Sequence, residues 1–265
     1  MRKYLQVIRI TFQEYFVYRL NFIFWRLRAF IQLLVLYFLW LAVIPQGTTI
    51  FGYDQAKILT YILGTSIIRS FILASRSVDV AGEISSGDLS NFLLRPINYL
   101  RYWLAKDIPD KILNLCFSII GVFLILVLLR PPIIIQHDPL IIFLTIITII
   151  LGIILYFFLS FSLSLSAFWT PENVWPPRFL ATIIIEFFAG SLFPLDILPA
   201  GVFKVLKLLP FTYLLFFPLN VYSGRLTLQE IFAGILISLF WILVFWQLAK
   251  TIFRLGLKSY VAWGR

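Results

Sequence analysis

The sequence predicts an all-α membrane protein with six transmembrane helices, and three observations lead to that fold class. Of its 265 residues, 61% are hydrophobic and 13% are charged, whereas soluble domains have roughly 45–50% apolar and about 25% charged residues. Several apolar runs approach the roughly 20 residues that cross a bilayer. Basic residues are distributed unevenly between the segments that join these runs. Because a soluble fold must cover its surface with polar groups, the composition excludes a soluble cytosolic enzyme.

Residues 1–21 are predicted to form an amphipathic helix that lies in the lipid headgroup plane. Its polar face carries Arg2, Gln6, Arg9 and Gln13, and its apolar face carries Leu5, Ile8, Phe12 and Phe16. Gln13 and Glu14 interrupt the apolar pattern, which argues against a simple continuation of the first span. Because no short basic region or A-x-A cleavage site accompanies the first apolar run, we expect no cleaved signal peptide.

Six apolar runs are predicted to cross the membrane, within a single transmembrane domain that takes up residues 1–265. The runs are residues 22–44, 58–74, 109–129, 140–167, 179–198 and 230–249. With both termini in the cytoplasm, sixteen Lys and Arg residues fall on that side and five fall outside, while Arg69 lies within a span. Positive residues collect on the cytoplasmic side of membrane proteins. We therefore expect a multi-pass membrane protein with both termini in the cytoplasm.

Residues 199–222 form a further apolar stretch that has two interpretations. As a seventh span, they would place the basic C-terminal tail outside the cell, which the charge distribution disfavours. Prolines lie in or beside the stretch at positions 194, 199, 210 and 218, and each removes a backbone donor. Irregular backbone at membrane depth is tolerated where it is buried in protein or lines a wet cavity. The pattern therefore favours a re-entrant helical hairpin that returns to the outer face.

The reactive residue types exclude several kinds of chemistry. Cys116 and His137 are the only cysteine and histidine, so neither an internal disulfide nor a usual zinc site can form. No Gly-Lys dipeptide occurs, which excludes a Walker A phosphate-binding loop. The net charge of +10 is better explained by membrane orientation and anionic lipid than by nucleic acid. We expect no catalytic residues, no cofactor, no metal and no nucleic-acid partner, and a membrane-embedded enzyme is the weakest alternative.

The longest polar segment, residues 75–108, is predicted to be a cytoplasmic loop that contains a short amphipathic helix with a turn. Leu89, Phe92 and Leu93 recur at helical spacing and form one apolar edge, and Pro96 ends the helix. Charged side chains surround this edge. Such a helix either docks another protein or only joins two spans, and the residues alone leave both interpretations open.

The same loop contains a pattern that resembles the signature of a known family. The pattern reads Glu83-x-x-x-Gly87-x-Leu89-x-x-x-Leu93-Leu94-x-Pro96. It is similar to the first cytoplasmic loop of ABC-2-type permeases, the membrane subunits of ATP-binding-cassette transporters. Asp88 replaces the Thr or Ser that is common there, and Asn91 stands where Glu is frequent. The ending Leu-Leu-Arg-Pro resembles a bacterial branch whose genes often encode two related permeases.

The resemblance implies both a fold and a function. Such permeases have six spans, an N-terminal interfacial helix, a cytoplasmic coupling helix and a re-entrant hairpin before the last span. Two permease protomers, identical or related, pair in the membrane, and separate ABC ATPase subunits dock below them. The resemblance implies export of an unidentified substrate across the plasma membrane, the inner membrane of a bacterium. ATP would be hydrolysed by the partner and not by this chain. The residues implied in ATPase coupling are Glu83, Gly87, Asp88, Leu89, Leu93, Arg95 and Pro96.

Two charged residues within the predicted spans, Arg69 and Glu186, are candidates for the translocation path. Ionisable groups inside a bilayer are costly and commonly face a bundle interior or a water-filled path. The alternative is neutralisation, by each other or by lipid headgroups, and Arg69 lies near enough to the inner boundary to extend toward it. An ion-coupled secondary transporter or channel that uses both residues is the second functional hypothesis. Such transporters commonly contain inverted repeats, and none is visible in this sequence.

Overall fold

The computed structural model describes residues 2–17 and 19–260, the side chains of residues 16–22 excepted. Over these residues the chain forms α-helices and short 3-10 turns with no β-strand, which confirms the predicted all-α fold. The helices are, in chain order, α1 (Arg2–Val17), α2 (Arg19–Val43), α3 (Gln55–Ile72), α4 (Val80–Ser85), α5 (Leu89–Leu93), α6 (Tyr99–Leu129), α7 (Pro139–Ser164), α8 (Trp175–Phe188), α9 (Ala200–Leu206), α10 (Phe216–Tyr222) and α11 (Leu228–Ser259).

Within the described residues, four helical segments are long and apolar enough to cross a membrane. They are Ile23–Val43, Tyr99–Leu129, Pro139–Phe168 and Leu228–Ser259. A fifth arises if α3 is counted together with Arg76–Ser85, from which it is bent by 44°. Six spans were predicted. The difference from five is the predicted span at 179–198, because α8 has 14 residues and ends at Phe188. Gly190 follows with a φ of +80°, so the chain turns where the prediction continued a helix.

Helix α6 begins at Tyr99, whereas the predicted third span begins at residue 109. The side chain of Asn98 caps it by accepting a hydrogen bond from the backbone N–H of Arg101 at 3.0 Å, as Asn commonly does at a helix N-terminus. Pro109 lies inside the helix, although proline there removes one backbone hydrogen bond. The predicted loop 75–108 is therefore shorter in the structure and ends at residue 98.

Helix α7 is the centre of the bundle. It packs against α11, α10 and α3, and α3 in turn packs against α6 and α2. In the most apolar stretch of α7, 39% of the residues are buried, against 17% in α2, α6 and α11. Large apolar side chains on the three outer helices are exposed, for example Val35, Phe123 and Leu243. Apolar surface on this scale is typical of a protein whose surroundings are lipid.

Two glycines let α11 approach its neighbours closely. A Cβ added at Gly234 would lie 2.2 Å from the ring of Phe217, and one at Gly256 would lie 2.1 Å from the ring of Phe168. Each ring therefore occupies the space that a larger residue would need, as expected in a close-packed interior. These contacts hold α11 against α10 near its beginning and against the 3-10 turn Leu165–Phe168 near its end.

A second group of buried apolar residues lies at one end of the bundle, separate from the main core. It joins the segment that follows α3 to α6, α7 and α11. We call it the end cluster, and its buried members are Val80, Ala81, Ile84, Leu89, Tyr99, Trp103, Phe157, Phe158, Phe161, Leu165, Ala167, Phe168 and Ala249. Because α4 and α5 are too short to be stable alone, this packing is what holds them in place.

Helix α1 corresponds to the predicted interfacial helix 1–21. It packs against α6 and buries Thr11, which is 1% exposed. The four residues of its predicted polar face are exposed, and so is Leu5 of the predicted apolar face. The apolar face is therefore directed partly away from the bundle. Residues 1 and 18 of the predicted helix, together with the side chain of Phe16, lie outside the described part of the chain.

The predicted hairpin at 199–222 contains two seven-residue helices, α9 and α10, with the 3-10 turn Pro210–Tyr213 between them. Neither helix is long enough to cross a bilayer. Most of α9 is exposed, whereas α10 is almost entirely buried. The backbone N–H of Phe216 donates to the carbonyl of Ala189 at 3.0 Å. This bond ties α10 to the turn that follows α8.

Candidate functional site

The segment from residue 75 to residue 98 leaves α3 through a capped turn and continues as two short helices. The Ser75 hydroxyl accepts a hydrogen bond from the backbone N–H of Ser77 at 3.2 Å, and the 3-10 turn Arg76–Asp79 leads into α4. Gly87, between α4 and α5, has a φ of +83°, a conformation that glycine adopts at little cost. The sequence predicted a short helix with a turn, and the structure has a helix on each side of that turn.

The apolar residues around α5 differ in how far they are buried. Leu89 is fully buried in the end cluster, whereas Leu93 is 49% exposed and Leu94 is 87% exposed. Of the predicted apolar edge, Leu89 and Phe92 pack in or against the end cluster, whereas Leu93, the last residue of α5, is left exposed. Leu89 anchors the segment, while Leu93 and Leu94 form what we call the apolar tip.

Glu83 of α4 is connected to the last long helix through Tyr99. The Tyr99 hydroxyl donates to Glu83 Oε2 at 2.9 Å, and the Tyr99 ring stacks on Phe253 of α11 with ring centroids 5.6 Å apart. Burial raises the pKa of the Glu83 carboxyl, because the charged form is less stable where water is excluded. A displacement of α4 would reach α11 through one hydrogen bond and one stacked pair.

The other predicted coupling residues lie on the exposed side of the segment. Asp88 is exposed and accepts a hydrogen bond from Ser86 Oγ at 2.7 Å. Arg95 and Pro96 are also exposed, and the Pro96 carbonyl accepts a hydrogen bond from Lys3 Nζ at 2.7 Å. This last contact links the segment to the beginning of α1. Charged and apolar groups therefore lie side by side on this surface.

A buried carboxylate, Asp107 of α6, fixes the point where α3 meets the segment. Asp107 is 2% exposed and accepts hydrogen bonds from Ser75 Oγ at 3.0 Å and from the backbone N–H of Arg76 at 2.6 Å. Lys111, one turn further along α6, pairs with it at 3.4 Å. Lys111 also donates to two carbonyl oxygens near the end of α3, at 2.9 and 2.6 Å. Sequence reasoning missed this pair because it placed Asp107 in a loop.

A chain of hydrogen bonds extends from the same place to α8. Ser77 Oγ donates to Ser160 Oγ of α7 at 2.9 Å. Arg178 of α8 donates to Ser164 Oγ at 2.9 Å and to Ser160 Oγ at 3.3 Å. Sequence reasoning assigned no such role to these residues. The four-residue spacing, which places both serines on one face of α7, is the signal that could have indicated a shared partner.

The two predicted translocation residues are brought together in the structure. Arg69 of α3 and Glu186 of α8 form an ion pair with an N–O distance of 2.5 Å, and each side chain is 27% exposed. Arg69 also donates to Gln32 Oε1 at 3.3 Å. Both charged residues line a cavity of about 480 Å³. Each charge is therefore neutralised by the other, at the wall of a cavity within the helical bundle.

The comparison with known protein families matches almost the whole chain. The model for the ABC-2 family transporter protein covers residues 30–264. The chain belongs to the ABC-2 transporter family. The matched range includes the 75–98 segment, both residues of the Arg69–Glu186 pair and all of the long helices after α2. No curated protein matches the chain at a significant level.

As an ABC-2 family member, the protein is a membrane transport component. The match confirms the family that the pattern from Glu83 to Pro96 indicated. Among residues 2–17 and 19–260, no three His, Cys, Asp or Glu side chains are grouped so that they could hold a metal ion.

Proposed function

We propose that this ABC-2 family protein is the membrane-spanning permease subunit of an ATP-binding-cassette exporter. It moves its substrate across the plasma membrane, and separate ATPase subunits that dock on the 75–98 segment hydrolyse the ATP. The observation that carries the proposal is that one side of this segment is buried and the other side is exposed, in a chain that belongs to the ABC-2 family. Leu89 is buried among residues of α6, α7 and α11, while the apolar tip stays exposed. An element with one anchored and one free side is suited to receive a partner and move the helices behind it.

The proposed topology has six crossings with both termini in the cytoplasm. α2, α6, α7 and α11 each cross as one helix, and α3 crosses up to its bend. α8 is about 21 Å long at 1.5 Å per residue, so it forms the fifth crossing together with the residues that follow it. α9 and α10 form the re-entrant hairpin at the outer face. The excess of basic residues on the cytoplasmic side supports this orientation, and α1 lies in the headgroup plane.

In the proposed mechanism, movement of the docked ATPase subunits is transmitted through the contacts of the 75–98 segment. Glu83 and Tyr99 lead to α11, and Ser75 and Asp107 lead to α6. Nucleotide binding and hydrolysis shift the population between inward-open and outward-open arrangements. A second permease protomer, identical or related, completes the pathway, and the Arg69–Glu186 pair lies along it.

Docking is tested by co-expression with the ABC ATPase encoded nearest to this chain, followed by purification through a tag on the permease. Leu94→Asp places a charge on the apolar tip without entering the core, because Leu94 is 87% exposed. Gly87→Pro removes the turn, since proline cannot adopt a φ of +83°. Each variant is expected to retain about tenfold less ATPase, the effect of losing one central interface contact.

The matched control is Leu208→Asp, which charges a leucine that is 67% exposed beyond α9 on the proposed outer face. It is expected to retain the wild-type amount of ATPase. Wild-type retention by Leu94→Asp would refute the proposed docking surface. Transport that continues without any ATPase would instead favour an ion-coupled transporter that uses Arg69 and Glu186.

The translocation role of Glu186 is tested separately from docking. Glu186→Gln keeps the side-chain shape and removes the charge that pairs with Arg69 at 2.5 Å. We expect the vanadate-sensitive ATPase rate of the reconstituted complex to change by about tenfold, the scale of one partly buried hydrogen bond between charged groups. The amount of ATPase that co-purifies stays unchanged, because the Glu186 side chain pairs with Arg69 of α3 and the change leaves the exposed apolar tip as it is. Equal loss of both quantities would show that this assignment is wrong.

A further inference from the structure

Two neighbouring cavities lie beside the Arg69–Glu186 pair. The larger, of about 480 Å³, lies between α2, α3 and α6, with Glu186 of α8 at its wall. The smaller, of about 20 Å³, lies between α2, α3 and the turn after α8. Arg69 lines both cavities. The larger volume is within the range of about 300–1,000 Å³ that is usual for small-molecule sites.

Three buried polar atoms along these cavities have no hydrogen-bond partner among the described residues. They are Nε of Arg69, Oδ1 of Asn114 and the hydroxyl oxygen of Ser191. Asn114 and Ser191 are each 3% exposed. Buried polar groups are almost always paired, so their concentration around one place indicates that a polar ligand or bound water belongs there.

The charges of the larger cavity are balanced. Two basic side chains, Arg26 and Arg69, and two acidic ones, Asp110 and Glu186, line it. A ligand with a single charge would add an uncompensated charge beside the partly buried side chains of Arg69 and Glu186, which is costly. A zwitterion can place its anionic group against a guanidinium and its ammonium against a carboxylate, and it adds no net charge. The lining therefore favours a zwitterionic ligand.

Part of the lining of the larger cavity is aromatic and exposed, and we call this part the aromatic rim. Trp25 of α2 and Phe117 of α6 line it, and they are 59% and 40% exposed. Ser75 and Val78 of the 75–98 segment also line the cavity, which places it in the cytoplasmic half of the proposed topology. A headgroup could enter here from the inner leaflet while its hydrocarbon chains stay against the aromatic rim in lipid.

We infer that this cavity binds the zwitterionic headgroup of a membrane amphiphile with an ammonium group and a phosphate, which enters sideways from the inner leaflet. The inference rests on the proposed function and names the substrate class of the exporter. The guanidinium groups of Arg26 and Arg69 take the phosphate, while the carboxylate of Glu186 and Oδ1 of Asn114 take the ammonium. The hydrocarbon chains leave past Trp25.

The test uses the permease–ATPase complex in detergent and measures lipid binding by native mass spectrometry. The probes are phosphatidylethanolamine, phosphatidylglycerol and diacylglycerol with identical acyl chains. Phosphatidylethanolamine is expected to bind about tenfold more tightly than either of the others, the scale of one charge-assisted hydrogen bond. Equal binding of the three lipids, or no saturable binding of phosphatidylethanolamine, overturns the inference. This comparison uses the wild-type protein and depends on no variant.

Variants then locate the site on the cavity wall. Asn114→Leu and Glu186→Gln are expected to reduce the preference for phosphatidylethanolamine to within about twofold, since each removes one partner of the ammonium. Cys116→Ser, at an exposed position of the same helix, keeps the full preference. An unchanged preference in Asn114→Leu and Glu186→Gln overturns the site. If the wild-type permease does not co-purify with the ATPase, the proposed function is overturned instead. The failure of the proposed function and the failure of this inference are therefore distinguishable.

Discussion

The substitution Asp107→Asn tests whether the ion pair beneath the 75–98 segment stabilises this protein. Asp107 is 2% exposed and combines two kinds of contact: hydrogen bonds from Ser75 and Arg76 and a 3.4 Å pair with Lys111. Asparagine keeps an oxygen for the hydrogen bonds and removes the charge. The change therefore leaves the buried ammonium of Lys111 without its carboxylate, and the packing is hardly altered.

The magnitude follows from the cost of an uncompensated buried charge. Removing one partner of a buried ion pair costs about 3–5 kcal/mol, and the lower end applies here because Lys111 keeps two carbonyl acceptors. At roughly 2–4 °C per kcal/mol for a chain of this size, about 3 kcal/mol corresponds to about 6–12 °C. The double variant Asp107→Asn/Lys111→Met removes both charges and should lose less than the sum of the single changes.

The assay is thermal unfolding of the purified protein in detergent, followed by intrinsic fluorescence at a fixed heating rate. The matched control is Asp79→Asn, which removes an aspartate of the same segment whose side chain is 45% exposed and pairs with Arg76 at 3.1 Å. An exposed pair contributes at most about 1 kcal/mol, so the control should shift by less than about 4 °C. Equal shifts for the two variants, or additive losses in the double variant, would refute the reasoning.

Two further predictions concern the end cluster and its link to α11. Gly256→Ala forces its methyl group into the ring of Phe168 and should lower the free energy of unfolding by about 1–3 kcal/mol. The control Gly201→Ala has open space around it and should not lower it. Equal effects of the two variants in thermal unfolding would contradict this packing. Tyr99→Phe removes the hydrogen bond to Glu83 and should lower permease-stimulated ATPase activity severalfold. The amount of ATPase that co-purifies should not fall. Unchanged stimulation would show that this hydrogen bond does not contribute to coupling.

Several features of the fold and site could be predicted from local sequence. The all-α class follows from composition, and the long apolar runs at α2, α6, α7 and α11 follow from hydropathy. The family follows from the spacing between Glu83 and Pro96, which the family match confirms. These features are local because a helix that faces lipid needs an apolar surface wherever it lies in the bundle.

Other boundaries were not readable from hydropathy. α6 begins at Tyr99 because Asn98 caps it, although the polar residues that follow resemble a loop. α8 ends at Phe188 because the chain turns at Gly190, although the apolar run continues beyond it. In both places the limits of the apolar run differ from the limits of the helix, since hydropathy reports the surroundings of a segment and not its backbone conformation.

By itself, the sequence of this protein determined its apolar surroundings, its helical class and its family. Only the tertiary structure decided which polar groups meet: Arg69 with Glu186 from α3 and α8, Asp107 with Ser75 across the bend, and Glu83 with Tyr99 beside α11. Except for Glu83 and Tyr99, these partners are far apart in the chain. Pairing of distant side chains depends on how helices pack and turn, and packing is a property of the whole bundle that no single segment encodes.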